Sequence, residues 1–137
     1  MTTSWSAADL PVLDGRTFVV TGANSGIGAA AARELARAGA QVVLAVRDTA
    51  KGEAAAAQMP GSTEVRRLDL ADLASVRAFA DAWEGPLDVL VNNAGVMALP
   101  EQRTVDGFEM QIGTNHLGHF ALTGLLLPAI LAAPKAR

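Results

Sequence analysis

The chain has 137 residues, no cysteine and a formal net charge of -3 at pH 7. Half of its residues are hydrophobic, which is enough apolar material to form one core. The weak negative charge gives no general attraction to nucleic acid or to an anionic membrane, and the absence of cysteine excludes disulfides and thiolate metal ligands.

Residues 1–15 are predicted to form an N-terminal arm ahead of a domain formed by residues 16–137. The arm lacks the basic and apolar segments of a secretory signal, and Trp5 is expected to dock on the domain. The longest apolar segment, Phe120–Ala133, contains Pro128 and is shorter than the ~20 residues that span a bilayer. We therefore expect no transmembrane segment and a cytoplasmic protein.

The segment Thr17–Gly28 predicts a strand, a glycine turn and the start of a helix. The apolar run Phe18–Val20 is followed by three closely spaced glycines, which are Gly22, Gly26 and Gly28. The free amides and the positive dipole end of a following helix attract anions, and the glycines let a diphosphate approach the backbone. This pattern predicts a dinucleotide cradle, and a tight connection without a ligand is the alternative. The helix is predicted to continue to Ala38 and to bury Ile27, Ala31, Leu35 and Ala38.

Strands and helices alternate along the rest of the chain. The further strands are predicted at Gln41–Val46, Thr63–Leu68 and Leu87–Val91. The further helices are predicted from Asp48 to Gln58, from near Asp72 to Gly85, and from Phe108 to Leu131. Strands that alternate with helices of this length predict an α/β fold with a doubly wound parallel sheet.

Four motifs occur in one order along the chain: Thr21–Gly28, Asp69–Leu70, Asn92–Gly95 and Asn115. In this order and spacing they resemble the N-terminal half of the short-chain dehydrogenase/reductase family. Two further segments, Ala45–Asp48 and Gly113–Phe120, resemble its retinol-dehydrogenase-like and protochlorophyllide-reductase-like members. The resemblance implies a Rossmann fold with strand order 3-2-1-4, in which the fifth and later strands are absent. It also implies hydride transfer between a nicotinamide cofactor and a carbonyl or alcohol carbon.

The resemblance also implies which residues bind the cofactor. Beside the three glycines, Asn24, Ser25 and Ile27 would line the pyrophosphate and ribose. Asp69 would accept a hydrogen bond from the adenine amino group, and Leu70 would shape the adenine slot. The cofactor ribose would lie beside Asn93, Ala94 and Gly95. The alternatives are that Asp69 is a helix N-cap and that the adjacent asparagines pin neighbouring backbone groups.

The end of the second predicted strand favours NADP(H) over NAD(H). NAD-binding folds place a carboxylate there to bind the ribose 2′-hydroxyl, whereas this chain has Val46 followed by Arg47. A guanidinium can grip a 2′-phosphate with two hydrogen bonds. Arg47 could instead be a solvated surface charge, and the neighbouring Asp48 keeps NAD as the alternative cofactor.

Asn115 lies inside a predicted helix, although asparagine is a mediocre helix former, and such a misfit suggests a function. The resemblance implies a catalytic role, in which Asn115 holds a water that connects the catalytic lysine to solvent. The alternative is a buried polar residue that binds a neighbouring strand. His116 and His119 could face one metal ion, but without a third ligand nearby we interpret them as structural histidines and predict no metal site.

The chain contains no tyrosine. The family reaction uses a serine and a Tyr-x-x-x-Lys pair beyond the fifth strand, and the chain stops at Arg137, where that strand should begin. We therefore interpret the sequence as an N-terminal fragment that is inactive alone, with an unpaired apolar edge at the fourth strand and poor solubility. The alternative is a non-catalytic dinucleotide-binding or interaction module. Similarity to retinol-acting members suggests an apolar carbonyl or alcohol substrate, and the full-length form could be a homo-oligomer.

Overall fold

The computed structural model of the chain describes residues 4–137. Its four strands are β1 (Thr17–Thr21), β2 (Gln41–Val46), β3 (Ser62–Arg67) and β4 (Val89–Val91). Its principal helices are α1 (Gly26–Arg37), α2 (Thr49–Ala56), α3 (Leu73–Asp81) and α4 (Met110–Ala132). A π-helical segment, Gly113–Leu117, interrupts the regular α-helical pattern of α4.

All four strands are parallel and form one sheet in the order β3-β2-β1-β4. The predicted Rossmann-type strand order 3-2-1-4 is therefore confirmed. Val19 of β1 lies between Val43 of β2 and Leu90 of β4, so β1 is an inner strand, and the chain order of the strands reverses direction beside it. In sheets of this kind the crevice at such a switch point, outside the carboxyl ends of the strands, is where ligands bind.

The outer edge of β4 differs from the prediction of an unpaired edge over Leu87–Val91. The strand is shorter, and the backbone of Arg137 pairs with it. The Arg137 amide donates to the Asp88 carbonyl at 2.9 Å, and the Leu90 amide donates to the Arg137 carbonyl at 3.0 Å. This is the hydrogen-bond pattern of parallel strands, so one residue continues the sheet beyond β4.

Both faces of the sheet are buried at β1 and β2, which are largely apolar, whereas β3 and β4 are only partly buried. On one face α1 and α2 cover a core that contains Val20, Leu44, Val46, Ala32 and Ala36. On the other face α3 and α4 cover a core that contains Val19, Val43, Val76, Phe79, Leu122 and Leu126. Strands covered by helices on both faces are typical of doubly wound α/β folds.

The buried face of α1 is not the predicted one. Its buried residues are Gly28, Ala32 and Ala36, whereas Ile27 is 82% exposed. The other predicted positions, Ala31, Leu35 and Ala38, are only partly buried. The physical reason is that small side chains let a helix approach a sheet closely, so residue size rather than hydrophobicity selects the face that packs.

The helix α2 begins at an aspartate cap. The Asp48 carboxylate accepts a hydrogen bond from the Lys51 amide at 3.1 Å, which satisfies one of the free amides of the first turn. The helix ends at Ala56, two residues before the predicted Gln58.

This cap leads to a prediction about stability. Replacing Asp48 by alanine should lower the free energy of unfolding by about 1 kcal/mol, because the amide loses its acceptor. Replacing it by serine should restore most of that loss, since serine is also a good cap. Urea denaturation of the three proteins measures both changes. Equal stability of the alanine variant and the unmodified protein would contradict the capping role.

We expected no transmembrane segment because the apolar segment Phe120–Ala133 is short. That reason is wrong, because the helix that contains this segment is longer. The helix α4 is continuous over 23 residues, and its most apolar window has a mean hydropathy of 1.2. By length and composition alone it could cross a membrane. The core helix of a soluble protein can pass the same test, and α4 contributes Leu122 and Leu126 to the core against the sheet.

Among the residues predicted to form an N-terminal arm, Leu13 rather than Trp5 packs into the core. Leu13 is buried in the core, and its amide donates to the Ala38 carbonyl at 2.8 Å. The indole of Trp5 is 70% exposed, so the prediction that it docks on the domain is wrong. Residues 1–3 of the predicted arm lie outside the described residues.

Candidate functional site

The glycine turn between β1 and α1 brings the backbone close to open space. Gly26 has a φ of +56°, which favours glycine, and a Cβ built there would meet no heavy atom within 4 Å among the described residues. A Cβ at Gly28 would collide with the Asn93 side-chain nitrogen and would lie 2.6 Å from the Gly22 carbonyl oxygen. The turn is therefore packed tightly on its inner side and open at the N-terminus of α1.

An open cleft of about 660 Å³ begins at this turn and follows the carboxyl ends of the strands. Most of the residues predicted to bind the cofactor line it, namely Gly22, Asn24, Ser25, Ile27, Gly28, Arg47, Asp69, Leu70, Asn93, Ala94 and Gly95. Of the predicted site residues, Gly26 and Asn115 are outside this lining. The sequence motifs, which are up to 73 residues apart in the case of Gly22 and Gly95, thus share one surface.

Two basic residues line the cleft where β2 ends. Arg47 is exposed directly after β2, and Lys51 in the first turn of α2 also lines the cleft. Asp48 also lines the cleft beside them, and its carboxylate accepts a hydrogen bond from the Lys51 amide. Sequence reasoning missed Lys51, although its place one turn into the helix that follows Arg47 was a usable signal.

Asp69 and Leu70 line the cleft after β3. The alternative interpretation of Asp69 as the N-cap of α3 is wrong, because Asp72 fills that role and accepts from the Ala74 amide at 2.9 Å. Asp69 instead accepts from the Ala71 amide at 3.0 Å, and its own amide donates to the Ser75 hydroxyl at 2.9 Å. These bonds hold the turn that carries Asp69 and leave lone pairs of its carboxylate available.

The segment Asn92–Val96, which we call the asparagine loop, follows β4 and is fastened to the end of β1. The hydroxyl of Thr21 accepts hydrogen bonds from the amides of Asn93 and Ala94, both at 2.9 Å. The side-chain amide of Asn93 donates to the Thr21 carbonyl at 3.0 Å. The Asn93 side chain therefore holds neighbouring backbone, as the alternative interpretation expected. The asparagine loop also forms one wall of the cleft.

Asn115 lies in the π-helical segment of α4 and binds the asparagine loop at its far end. Its side-chain oxygen accepts from the Val96 amide and its side-chain nitrogen donates to the Val96 carbonyl, both at 2.7 Å. The residue thus binds a loop rather than the strand considered as an alternative. Irregular π-helical turns occur frequently at functional sites.

Comparison with known proteins decides the family. The family model described as short chain dehydrogenase matches residues 16–137. The chain belongs to the short-chain dehydrogenase family. Its membership agrees with the parallel sheet and with the cleft at the carboxyl ends of the strands.

Among the relatives of this short-chain dehydrogenase chain are mouse retinol dehydrogenase 12, 51% identical over 133 residues, and human retinol dehydrogenase 11, 52% identical over 133 residues. Each alignment covers 91% of the chain and 42% of the relative, so the chain spans about two fifths of the length of these proteins. 

Solved structures show the same fold. A crystal structure of an uncharacterized protein from Mycobacterium Paratuberculosis has a TM-score of 0.89 and 69% identity, and the match covers 93% of this chain and 47% of that chain. A metagenomic short-chain oxidoreductase in complex with NADP has a TM-score of 0.77 and 38% identity, with 91% and 61% covered.

The two histidines of α4 have different surroundings. His119 is only 6% exposed, and its Nε2 lies 2.9 Å from the Thr21 hydroxyl while its Nδ1 lies 3.1 Å from the Asn115 carbonyl. His116 is exposed and lies against the ring of Phe120. Within residues 4–137 the structure shows no group of three or more side chains that could hold a metal ion. Sequence reasoning interpreted both histidines as structural and did not find the partners of His119.

Burial lowers the pKa of His119 below its ordinary value of 6.5, and the hydrogen bond to the Asn115 carbonyl opposes this effect. The unfolded chain therefore takes up a proton near pH 6.5 that the folded protein resists. We expect this contribution to stability to be fully present above pH 6.5 and to fall as the pH decreases toward the folded pKa.

The slope of this loss cannot exceed about 1.4 kcal/mol per pH unit for one group. Urea denaturation between pH 5 and 8 measures it, with His119→Gln as the control for the carboxylates that titrate in both proteins. The free energy difference between the two proteins should change in favour of the glutamine variant as the pH falls. A constant difference across this range would contradict the prediction.

Proposed function

We propose that the cleft binds NADP(H). We propose further that the protein containing this cleft transfers a hydride between nicotinamide and a carbonyl or alcohol carbon. One observation carries the coenzyme assignment. The N-terminus of α1 opens into the cleft at the glycine turn, and the basic residues Arg47 and Lys51 line the same cleft where β2 ends. Membership of the short-chain dehydrogenase family and the NADP in a 38% identical structure support it.

The residues of the cleft fit a phosphorylated dinucleotide. The backbone at Gly26 faces space that a diphosphate could enter, and the α1 dipole favours an anion there. The side chains of Arg47 and Lys51 would hold the 2′-phosphate, which a carboxylate at this position would repel. Asp69 and Leu70 would contact adenine, and Asn93, Ala94 and Gly95 would contact ribose. When bound, the coenzyme supplies the hydride donor or acceptor.

The proton transfer of this reaction would need the tyrosine that the family resemblance implies. The sequence has no tyrosine, and general acid or base catalysis requires a group within hydrogen-bond reach of the reacting oxygen. We therefore propose that residues 1–137 alone bind coenzyme without turnover. Each polar atom of the Asn115 side-chain amide makes one hydrogen bond to Val96, so one lone pair and one N–H remain with which Asn115 would hold a catalytic water.

An apolar carbonyl or alcohol is the proposed substrate class. Two relatives at about half identity have retinol in their names. The chain itself exposes Met97 and Leu99 just after the asparagine loop, and Leu99 lines the cleft. Apolar surface at this place would favour a hydrophobic substrate over a charged one.

Isothermal titration calorimetry of the intact protein with NADPH and NADH tests the coenzyme proposal. We expect NADPH to bind at least ~10-fold more tightly, because the 2′-phosphate would gain charge-assisted hydrogen bonds. Equal or tighter binding of NADH would overturn the coenzyme preference. No saturable binding of either would overturn the whole proposal, and binding without oxidoreductase activity in the intact protein would favour a non-catalytic dinucleotide-binding module.

A further inference from the structure

Three polar residues of α4 face the asparagine loop at successive turns of the helix. Asn115 binds Val96, as described above, and the Thr123 hydroxyl accepts from the Asn92 side chain at 3.1 Å. Between them His119 contacts Thr21, which in turn accepts from two loop amides. The helix thus holds the loop at both ends directly and holds its middle only through Thr21.

The hydroxyl of Thr21 has one proton and two lone pairs. The amides of Asn93 and Ala94 can only donate, so they occupy both lone pairs of the oxygen. The hydroxyl proton therefore needs an acceptor. His119 Nε2 lies at 2.9 Å, whereas the Val91 carbonyl lies at 3.4 Å. The shorter distance favours donation from Thr21 to His119.

The other ring nitrogen makes this arrangement consistent. His119 Nδ1 lies 3.1 Å from the Asn115 carbonyl oxygen, which can only accept, so Nδ1 carries the proton. In a neutral imidazole Nε2 is then a bare acceptor. A second proton on Nε2 would point at a Thr21 oxygen whose lone pairs are already used. Burial of the ring also favours the neutral form.

We propose that His119 is a positioning residue for coenzyme binding: Nε2 of its Nδ1-protonated ring accepts a hydrogen bond from the Thr21 hydroxyl and so turns the Thr21 lone pairs toward the amides of the asparagine loop. The proposal rests on the proposed function for its effect on the coenzyme. His119 is not among the residues that line the cleft, and it acts through Thr21.

The close packing of the loop against the glycine turn explains why its position matters. A Cβ at Gly22 would lie only 2.9 Å from the Ala94 Cβ, and the Asn93 side chain fills the space beside Gly28. Displacement of Asn93 or Ala94 by a few tenths of an ångström would therefore displace the turn or the loop wall of the cleft. The orientation of the Thr21 hydroxyl controls the two hydrogen bonds from the Asn93 and Ala94 amides, and these bonds help to set the distance between the loop and the glycine turn.

Two substitutions of His119 by amide residues test the hydrogen-bond acceptor at Nε2 separately from the other properties of the ring. In His119→Gln the side chain reaches the position of Nε2 and can accept from Thr21, whereas in His119→Asn it ends near the position of Nδ1 and cannot. Both variants are neutral and polar. His116→Asn on the exposed side of the same helix is the control.

In the intact protein we expect His119→Asn to weaken NADPH binding at least ~10-fold, which is the scale of one buried hydroxyl left without its partner. His119→Gln and His116→Asn should stay within about threefold of the unmodified protein. Equal losses in the asparagine and glutamine variants at position 119 would overturn the proposal, and so would no loss in either.

Two measurements without coenzyme test the positioning separately from the proposed function. Nitrogen-15 NMR of the imidazole at pH 7 should show protonated Nδ1 and bare Nε2, and the opposite tautomer would overturn the proposal. Hydrogen exchange at the amides of Asn93 and Ala94 should accelerate at least ~10-fold in His119→Asn and not in His119→Gln. If these results hold while neither coenzyme binds, the proposed function fails and the role of His119 in the loop stands.

Discussion

Replacement of Gly28 by alanine is expected to weaken NADPH binding more than ~10-fold and to lower the free energy of unfolding by about 1 to 3 kcal/mol. The added methyl would collide with the Asn93 side chain and would lie 2.6 Å from the Gly22 carbonyl. The second contact involves backbone, which cannot rotate away as a flexible side chain can. The glycine turn and the asparagine loop would have to separate, and both form walls of the cleft.

Calorimetry with NADPH and urea denaturation measure the two effects, and Gly124→Ala is the matched control. Gly124 lies inside α4, and a Cβ there would meet no heavy atom within 4 Å in the described part of the chain. Because alanine is a better helix former than glycine, this variant should be equally or more stable, by up to about 1 kcal/mol. Unchanged NADPH affinity in Gly28→Ala would show that the close approach is not needed for coenzyme binding.

Reversal of the charge at Arg47 should have the largest effect on coenzyme choice. In Arg47→Glu we expect NADPH binding to weaken at least ~100-fold, because charge-assisted hydrogen bonds are lost and a carboxylate repels the 2′-phosphate. NADH binding should stay the same or become tighter, since a carboxylate at this position can accept a hydrogen bond from the ribose 2′-hydroxyl. The preference for the phosphorylated coenzyme would disappear or reverse.

Lys51→Glu should have the same direction and a smaller effect, because a lysine ammonium lacks the two-pronged geometry of a guanidinium. Arg77→Glu is the control, since Arg77 is exposed on α3 and is not among the residues of the cleft. All proteins are titrated with NADPH and NADH at one ionic strength, because surface charges are screened by salt. Equal losses for both coenzymes in Arg47→Glu would mean that Arg47 does not contact the 2′-phosphate.

Local sequence signals predicted the fold well where they were unambiguous. The bounds of β2 are the predicted ones, because Gln41–Val46 is a continuous apolar run that ends before a helix cap. The caps at Asp48 and Asp72 identified the starts of two helices. The buried face of α1 could not be predicted from hydrophobicity, because the helix packs through Gly28 and two alanines while Ile27 faces outward.

Part of the candidate site could be predicted, because the carboxyl ends of parallel strands lie at the same edge of the sheet and bring the motifs that follow them together. Motifs after β1, β3 and β4 were expected together, and the cleft contains them. Leu99 and Gln102, in the long segment between β4 and α4, and Met110, at the start of α4, carried no local signal for the cleft. The contact of His119 with Thr21 joins positions 98 residues apart, and nothing in either segment alone predicts it.

The bonds between Thr21 and the asparagine loop have a consequence for the timing of folding during protein synthesis. The Thr21 hydroxyl meets its amide partners 72 and 73 residues later in the chain. At about 5 to 20 residues per second, a ribosome needs roughly 4 to 15 seconds to add that stretch. For this interval the nascent glycine turn lacks its second wall, so a coenzyme bound as proposed would stabilise the emerging chain only after Ala94 has left the exit tunnel.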